Sequence, residues 1–120
     1  MSLEENSKLV QFDLTFKNVG SQSIGNLKYL RNADSDQDQD THGTYSTNND
    51  ALALDSGGVA ASSVGPSSGY TVVLGSFDDG AVVSDGRDFS ITDPDVVLDN
   101  PNDPNGALED NSINIAKNLM

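Results

Sequence analysis

Four aspartates alternate through Asp34-Ser35-Asp36-Gln37-Asp38-Gln39-Asp40, the sharpest chemical signal in the chain. Their spacing matches the first half of an EF-hand loop, whose ligands sit at positions 1, 3, 5 and 7. The chemistry follows from geometry. Alternate side chains of a tight loop converge on one point, and a hard divalent cation takes six to eight oxygens. Two departures rule against a full EF-hand. Gln39 stands at position 6, where glycine is expected, and Tyr45 at position 12, where a bidentate glutamate is expected. No helical period flanks the loop either. The expectation is an aspartate-rich calcium loop between strands, with a solvated polar loop as the bland alternative.

A second acidic group gathers Asp93, Asp95, Asp99, Asp103, Asn105 and Asp110 among three prolines (Pro94, Pro101 and Pro104) that fix the local backbone. Such a set suits a calcium site shared between loops at one end of a β-sandwich. A run of ordinary Asx-Pro turns is the competing reading. The candidate metal ligands are therefore Asp34, Asp36, Asp38, Asp40, Asp93, Asp95, Asp99, Asp103, Asn105 and Asp110. Asp78-Asp79-Gly80 and Asp85-Gly86-Arg87-Asp88 read first as hairpin turns.

Catalytic constellations are sparse. His42 is the one histidine, cysteine is absent, and neither GxSxG nor HExxH occurs. Serine, one histidine and an aspartate can be assembled from almost any composition, so they point to no triad. Glycoside hydrolysis needs a carboxylic acid held in an apolar pocket, whereas these aspartates fall in open polar stretches. Asp93-Pro94 and Asp103-Pro104 are bonds of the kind some bacterial modules cleave autocatalytically. That leaves an accessory or self-processing domain of a secreted enzyme as one alternative. With Tyr45 and Tyr70 but no tryptophan for a sugar platform, a carbohydrate-binding module is another. Tyr70 itself falls on an alternating face and reads as core.

The charge balance narrows the partners. The net charge is −13, with 19 acidic residues against 6 basic ones. Residues 34–110 hold 16 of the acids and a single base, Arg87. Nucleic acid is excluded, because binding it needs cations to neutralise phosphates, and an anionic membrane surface is disfavoured for the same reason. A divalent cation is the simplest partner that offsets such self-repulsion. No apolar run approaches the ~20 residues of a membrane helix. Without cysteines no disulfide framework holds the fold. Met1-Ser2-Leu3 reads as an expression leader on a piece cut from something longer.

The elements that must position these loops are strands. Val10, Phe12, Leu14 and Phe16 alternate with Gln11, Asp13, Thr15 and Lys17, the pattern of a half-buried strand. Further strands are expected at residues 24–30, 51–54, 69–75, 81–83, 89–92, 95–98 and 112–117. Residues 56–69, rich in glycine and serine, read as a loop or weak edge strand. Short strands parted by turn chemistry give a single all-β domain over residues 1–120, a sandwich or barrel of roughly seven to nine strands. The expected core is Val10, Phe12, Leu14, Phe16, Leu27, Tyr29, Val72, Leu74, Ile91, Ile113 and Ile115. The run from Ile113 stops soon after at Met120. Either this last strand is simply terminal or a closing strand is missing, and in the second case the terminal strand offers an open edge for strand addition or a homodimer.

The segments FKNVG, NLKYLRN, DSDQDQD and GTYSTNND, in that order, resemble the Ig-like β-sandwich modules of large secreted bacterial surface proteins. These include repeat-containing adhesins and calcium-binding RTX-type proteins, and the N-x-G turn is similar to that of CARDB-like adhesion domains. The later DPNGALEDNSINIA is similar to closing segments of such modules. The resemblance implies an antiparallel Ig-like sandwich, an extracellular or cell-surface location, and a non-enzymatic, calcium-stabilised structural role beside neighbouring domains. It carries over only the acidic loop of Asp34, Asp36, Asp38 and Asp40 as ligands.

Overall fold

The computed structural model describes residues 8–100 and 108–120. Among these residues seven strands and two single-turn helices follow in chain order: β1 (Lys28–Ala33), α1 (Gln39–His42), β2 (Thr47–Ala53), β3 (Val59–Val64), β4 (Thr71–Ser76), β5 (Ala81–Arg87), α2 (Asp95–Leu98), β6 (Leu108–Glu109) and β7 (Ser112–Asn118). They form two antiparallel sheets, one ordered β1-β7-β5 and the other β4-β3-β2-β6. β3 faces β5 and β7 across the interior, so the architecture is an all-β sandwich with open sheet edges.

Local chemistry explains the layout. β2 and β3 make a hairpin whose turn needs Gly57 at φ +88°, a region costly for side chains. Along β7 the alternation is read twice. Ile113 and Ile115 face inward and pack with Ala61 and Val83, while Ala33, Ala51, Val59, Leu74 and Ala81 close over this cluster. Each buried isoleucine contributes about 1.5–3 kcal/mol of transfer free energy. Ser112, Asn114 and Ala116 point the other way and are also buried, on the side where Val97 of α2 rests against β7. There Asn32 Nδ2 donates to Ser112 Oγ at 2.7 Å and to Asn114 Oδ1 at 2.9 Å, tying β1 to β7 across the ladder. The core is small-sided. Among the described residues its seven buried hydrophobic side chains are three alanines, two valines and two isoleucines.

Several expectations are corrected. Residues 10–16 form no ladder, since only Gln11 takes a bridge. Phe12 and Leu14 are 42% and 51% exposed, with Val10 and Phe16 similarly open. Alternation fixes which side of a strand is apolar but supplies no neighbour. Here the row leans on the margin of β1, with Arg31 4.0 Å over the Phe12 ring and Phe16 edge-on to Tyr29 at 6.1 Å. Residues 24–30 give way to β1, which starts at Lys28, with Leu27 and Tyr29 half-buried. Residues 56–69, read as a loop or edge, contain β3, a central strand. Small residues there (Ala60, Ala61 and Ser63) let the two sheets approach closely.

Residues 89–92 lie in a turn beyond β5, with Ile91 half-buried. Residues 95–98 are helix α2, because Pro94 sits at φ −62° ahead of it and the Asp95 N–H is held by Asp93 Oδ1 at 3.0 Å. Asp85-Gly86-Arg87 is no hairpin turn but part of β5, where a bulge shifts the register between Ser84 and Arg87. Asp78-Asp79-Gly80 does turn the chain, yet it carries β4 of one sheet into β5 of the other. Val72 and Tyr70 are exposed. The terminal strand β7 is paired on both sides, by β1 and β5, so it offers no open edge.

Candidate metal site

Antiparallel pairing of β1 with β7 sets Ala33 opposite Ile113. β1 ends at Ala33 and β7 begins at Ser112, so Asp34 and Asp36 leave this end of the ladder where Asp110 enters it. The three carboxylates accordingly converge, with candidate ligand oxygens all within 4.8 Å of one another. Asp34 and Asp36 lie in the loop leaving β1, and Asp110 in the short turn between β6 and β7. All three are solvent-exposed. Two acidic stretches some seventy residues apart in sequence thus contribute to one cluster, the only group of three or more such ligands among the described residues.

The electrostatics of the cluster are unfavourable without a counter-charge. Partial burial raises the Asp34 carboxyl above its usual range, and the charges of Asp36, Asp110 and Asp88 push it further. Asp36 is raised by partial burial first and by Asp110 second. Three carboxylates offer up to six oxygens, which fits a hard cation completed by carbonyls or water. A cation at this point would join the chain leaving β1 to the chain approaching β7.

Asp38 is placed differently. Its carboxylate is buried and accepts from the Ser67 amide (Oδ2, 2.7 Å) and the Ser68 amide (Oδ1, 3.1 Å), in the turn joining β3 to β4. A hydrogen bond from the Ser68 side chain, the two amides and nearby His42 together hold its carboxyl below the usual range, against the opposing effect of burial. Gly65 permits this approach, for a Cβ there would stand 2.7 Å from Ser68 Oγ and 2.9 Å from Asp38 Oδ1. Next to it Gln37 Nε2 donates to the Ser63 carbonyl at 2.7 Å. The acidic motif therefore divides. Asp34 and Asp36 face Asp110, while Gln37 and Asp38 anchor the loop to the opposite sheet.

The remaining candidates are dispersed. Asp40 is exposed on α1, beside the exposed His42. Asp93 holds the amide of Asp95, Asp95 pairs with Lys28, and Asp99 closes α2 through its own N–H. Asp103 and Asn105 lie outside the described residues. Two participants were not foreseen, Asp88, whose charge reaches Asp34, and the Ser67–Ser68 amides. Asp88 sits after β5, with its own carboxyl lowered chiefly by the Ser90 hydroxyl and then by the Ser90 N–H. The S-S-G-type turn at residues 67–69 was the available signal for an anion-holding pair of amides.

No helix among the described residues is long and apolar enough to cross a membrane. No known protein family, curated protein or solved structure matches the chain.

Proposed function

We propose that this chain is a non-enzymatic structural or adhesion module of a secreted bacterial surface protein, stabilised by calcium bound at Asp34, Asp36 and Asp110. The observation that carries the reading is the convergence of these three carboxylates from two loops at the β1–β7 end of one sheet. Two of the three are raised by partial burial and by like charge, a strain that a divalent cation relieves. The likeness of residues 10–47 to Ig-like modules of large surface proteins points the same way. Such modules bind calcium in the range of roughly 0.1–1 mM, matched to extracellular concentrations.

The thin core gives the ion a purpose. With only seven buried hydrophobic side chains among the described residues, a cross-link that closes the chain from Asp36 to Asp110 adds stability that packing does not supply. Neighbouring domains of the parent protein are the expected partners. Isothermal calorimetry with calcium and with magnesium tests the proposal directly. Calcium should bind in the sub-millimolar to millimolar range and magnesium more weakly, since magnesium demands a tighter octahedron. A protein that takes up no calcium at millimolar concentration defeats it.

A further inference from the structure

The acidic cluster is built from two limbs, the loop leaving β1 and the turn between β6 and β7. Each limb is also tied to the opposite sheet, one residue past its aspartate. After Asp36, Gln37 Nε2 donates to the Ser63 carbonyl of β3 at 2.7 Å. After Asp110, the Asn111 carbonyl accepts from Asn49 Nδ2 of β2 at 2.8 Å. Asn49 and Ser63 are register partners in the β2–β3 ladder, so both tethers end on one rung. The second limb reaches that rung through β6, where Glu109 pairs with Thr47. Thr47, Asn49 and Ser63 are all buried. Thr47 Oγ1 donates to Asn49 Oδ1 at 2.9 Å, which fixes the Asn49 carboxamide with its Nδ2 toward Asn111.

We propose that Asn49 and Gln37 are positioning residues, and that the Asn49–Ser63 rung fixes the spacing of Asp36 and Asp110 from across the sandwich. The β1–β7 ladder cannot do this alone, because its last rung is Ala33–Ile113 and all three carboxylates lie beyond it. Past that rung, like charge pushes the two limbs apart. A hydrogen bond one residue from each aspartate leaves the carboxylates little room to separate. Both bonds are made on a regular hairpin of six paired positions, so the two limbs share one frame. The consequence for calcium rests on the function proposed above. If the cluster is that site, its oxygens are held in place before the ion arrives, which lowers the ordering cost of binding.

The spacing can be read without calcium. The chain has no cysteine, so Asp36→Cys with Asp110→Cys introduces its only two thiols. Equilibrating that full chain with glutathione gives the effective concentration of one thiol at the other. Adding Asn49→Ala should lower it about tenfold, the scale of one lost buried hydrogen bond. Gln37→Ala, at a half-buried loop position, should lower it similarly and serves if Asn49→Ala does not fold. Ile115→Val, which thins the core without touching either tether, should leave it unchanged. An effective concentration that stays level in a folded tether variant, or that falls equally for Ile115→Val, overturns the proposal. In the chain with its aspartates intact, Asn49→Ala should weaken calcium binding about tenfold while removing no ligand oxygen. A chain that binds no calcium defeats the function proposed above, and the thiol pair still decides the tether.

Discussion

The carboxylates of Asp36 and Asp110 lie within 4.8 Å of each other because the β1–β7 ladder points both loops the same way. Neither residue is held there by a hydrogen bond to the other, and the charge of Asp110 raises the Asp36 carboxyl above its usual range. Their closeness is therefore unfavourable by itself and depends on the strands that enforce it. That relationship makes the cluster testable by substitution, since removing either charge relaxes the repulsion and removes a ligand at once.

Asp36→Asn and Asp110→Asn should each abolish most of the calcium-dependent rise in melting temperature. For the unaltered chain that rise corresponds to about 2.7 kcal/mol when calcium is a hundredfold above Kd. In calcium-free buffer the same variants should melt at or slightly above the unaltered protein, because a like charge has gone. Asp40→Asn, exposed on α1 outside the cluster, should change neither value. Equal calcium responses for Asp36→Asn and Asp40→Asn would place the ion elsewhere.

The acid titration should have two limbs. Asp34 and Asp36 have folded pKa values raised above the ordinary 3.8, so their charged forms are disfavoured in the fold. In calcium-free buffer, stability should rise as pH falls from neutral through those raised values, and the gain is complete below the unfolded value. Asp38 and Asp88 are lowered, so their contribution is present above 3.8 and is lost as pH falls through their depressed values. Melting temperature against pH without calcium should therefore pass through a maximum on the acid side of neutrality. The calcium-dependent increment should shrink over the rising limb, since protons compete for the same oxygens. Asp34→Asn should flatten the rising limb and leave the acid fall in place.

The anchor under the loop should behave as structure rather than as a ligand. Gly65→Ala drives a methyl group against Ser68 Oγ and Asp38 Oδ1 and should destabilise by about 1–3 kcal/mol. Asp38→Ala removes the acceptor for the Ser67 and Ser68 amides and should lower the melting temperature by the same amount with and without calcium. A loss confined to calcium-containing buffer would instead make Asp38 a ligand.

What the sequence disclosed depended on whether a signal was local. Ile113 and Ile115 alternate with polar neighbours in a strand that both sheet partners and α2 cover, so their period of two led to the core. The same period at Val10, Phe12, Leu14 and Phe16 misled, because no edge receives that segment as a ladder. β3 was hidden for the opposite reason. Its alanines and serines lack the bulk that marks a buried strand, yet small size is what a central strand between close sheets requires. In the acidic loop, residue type and spacing pointed to Asp34 and Asp36. Nothing local could tell that Asp38 would turn inward to the Ser67 and Ser68 amides, or that Asp110 would leave its own cluster for theirs. Those outcomes are set by contacts between segments distant in sequence.

The contrast between the two apolar rows can be measured. Ile113 is fully buried in the cluster with Ala61, Val83 and Ile115, and few of those small neighbours can move to fill a void. Ile113→Ala should therefore cost about 2–5 kcal/mol in urea unfolding, toward the upper part of that range. Leu14 is half-exposed on a segment without a ladder, so Leu14→Ala removes little buried surface and should cost under about 1 kcal/mol. Phe12→Ala should fall between them, because it loses the Arg31 contact at 4.0 Å as well as part of its ring burial. The order of the three matters more than their sizes. If Leu14→Ala proved as costly as Ile113→Ala, residues 10–16 would be a packed strand in solution, and the margin of β1 would be a paired interior position instead of an edge.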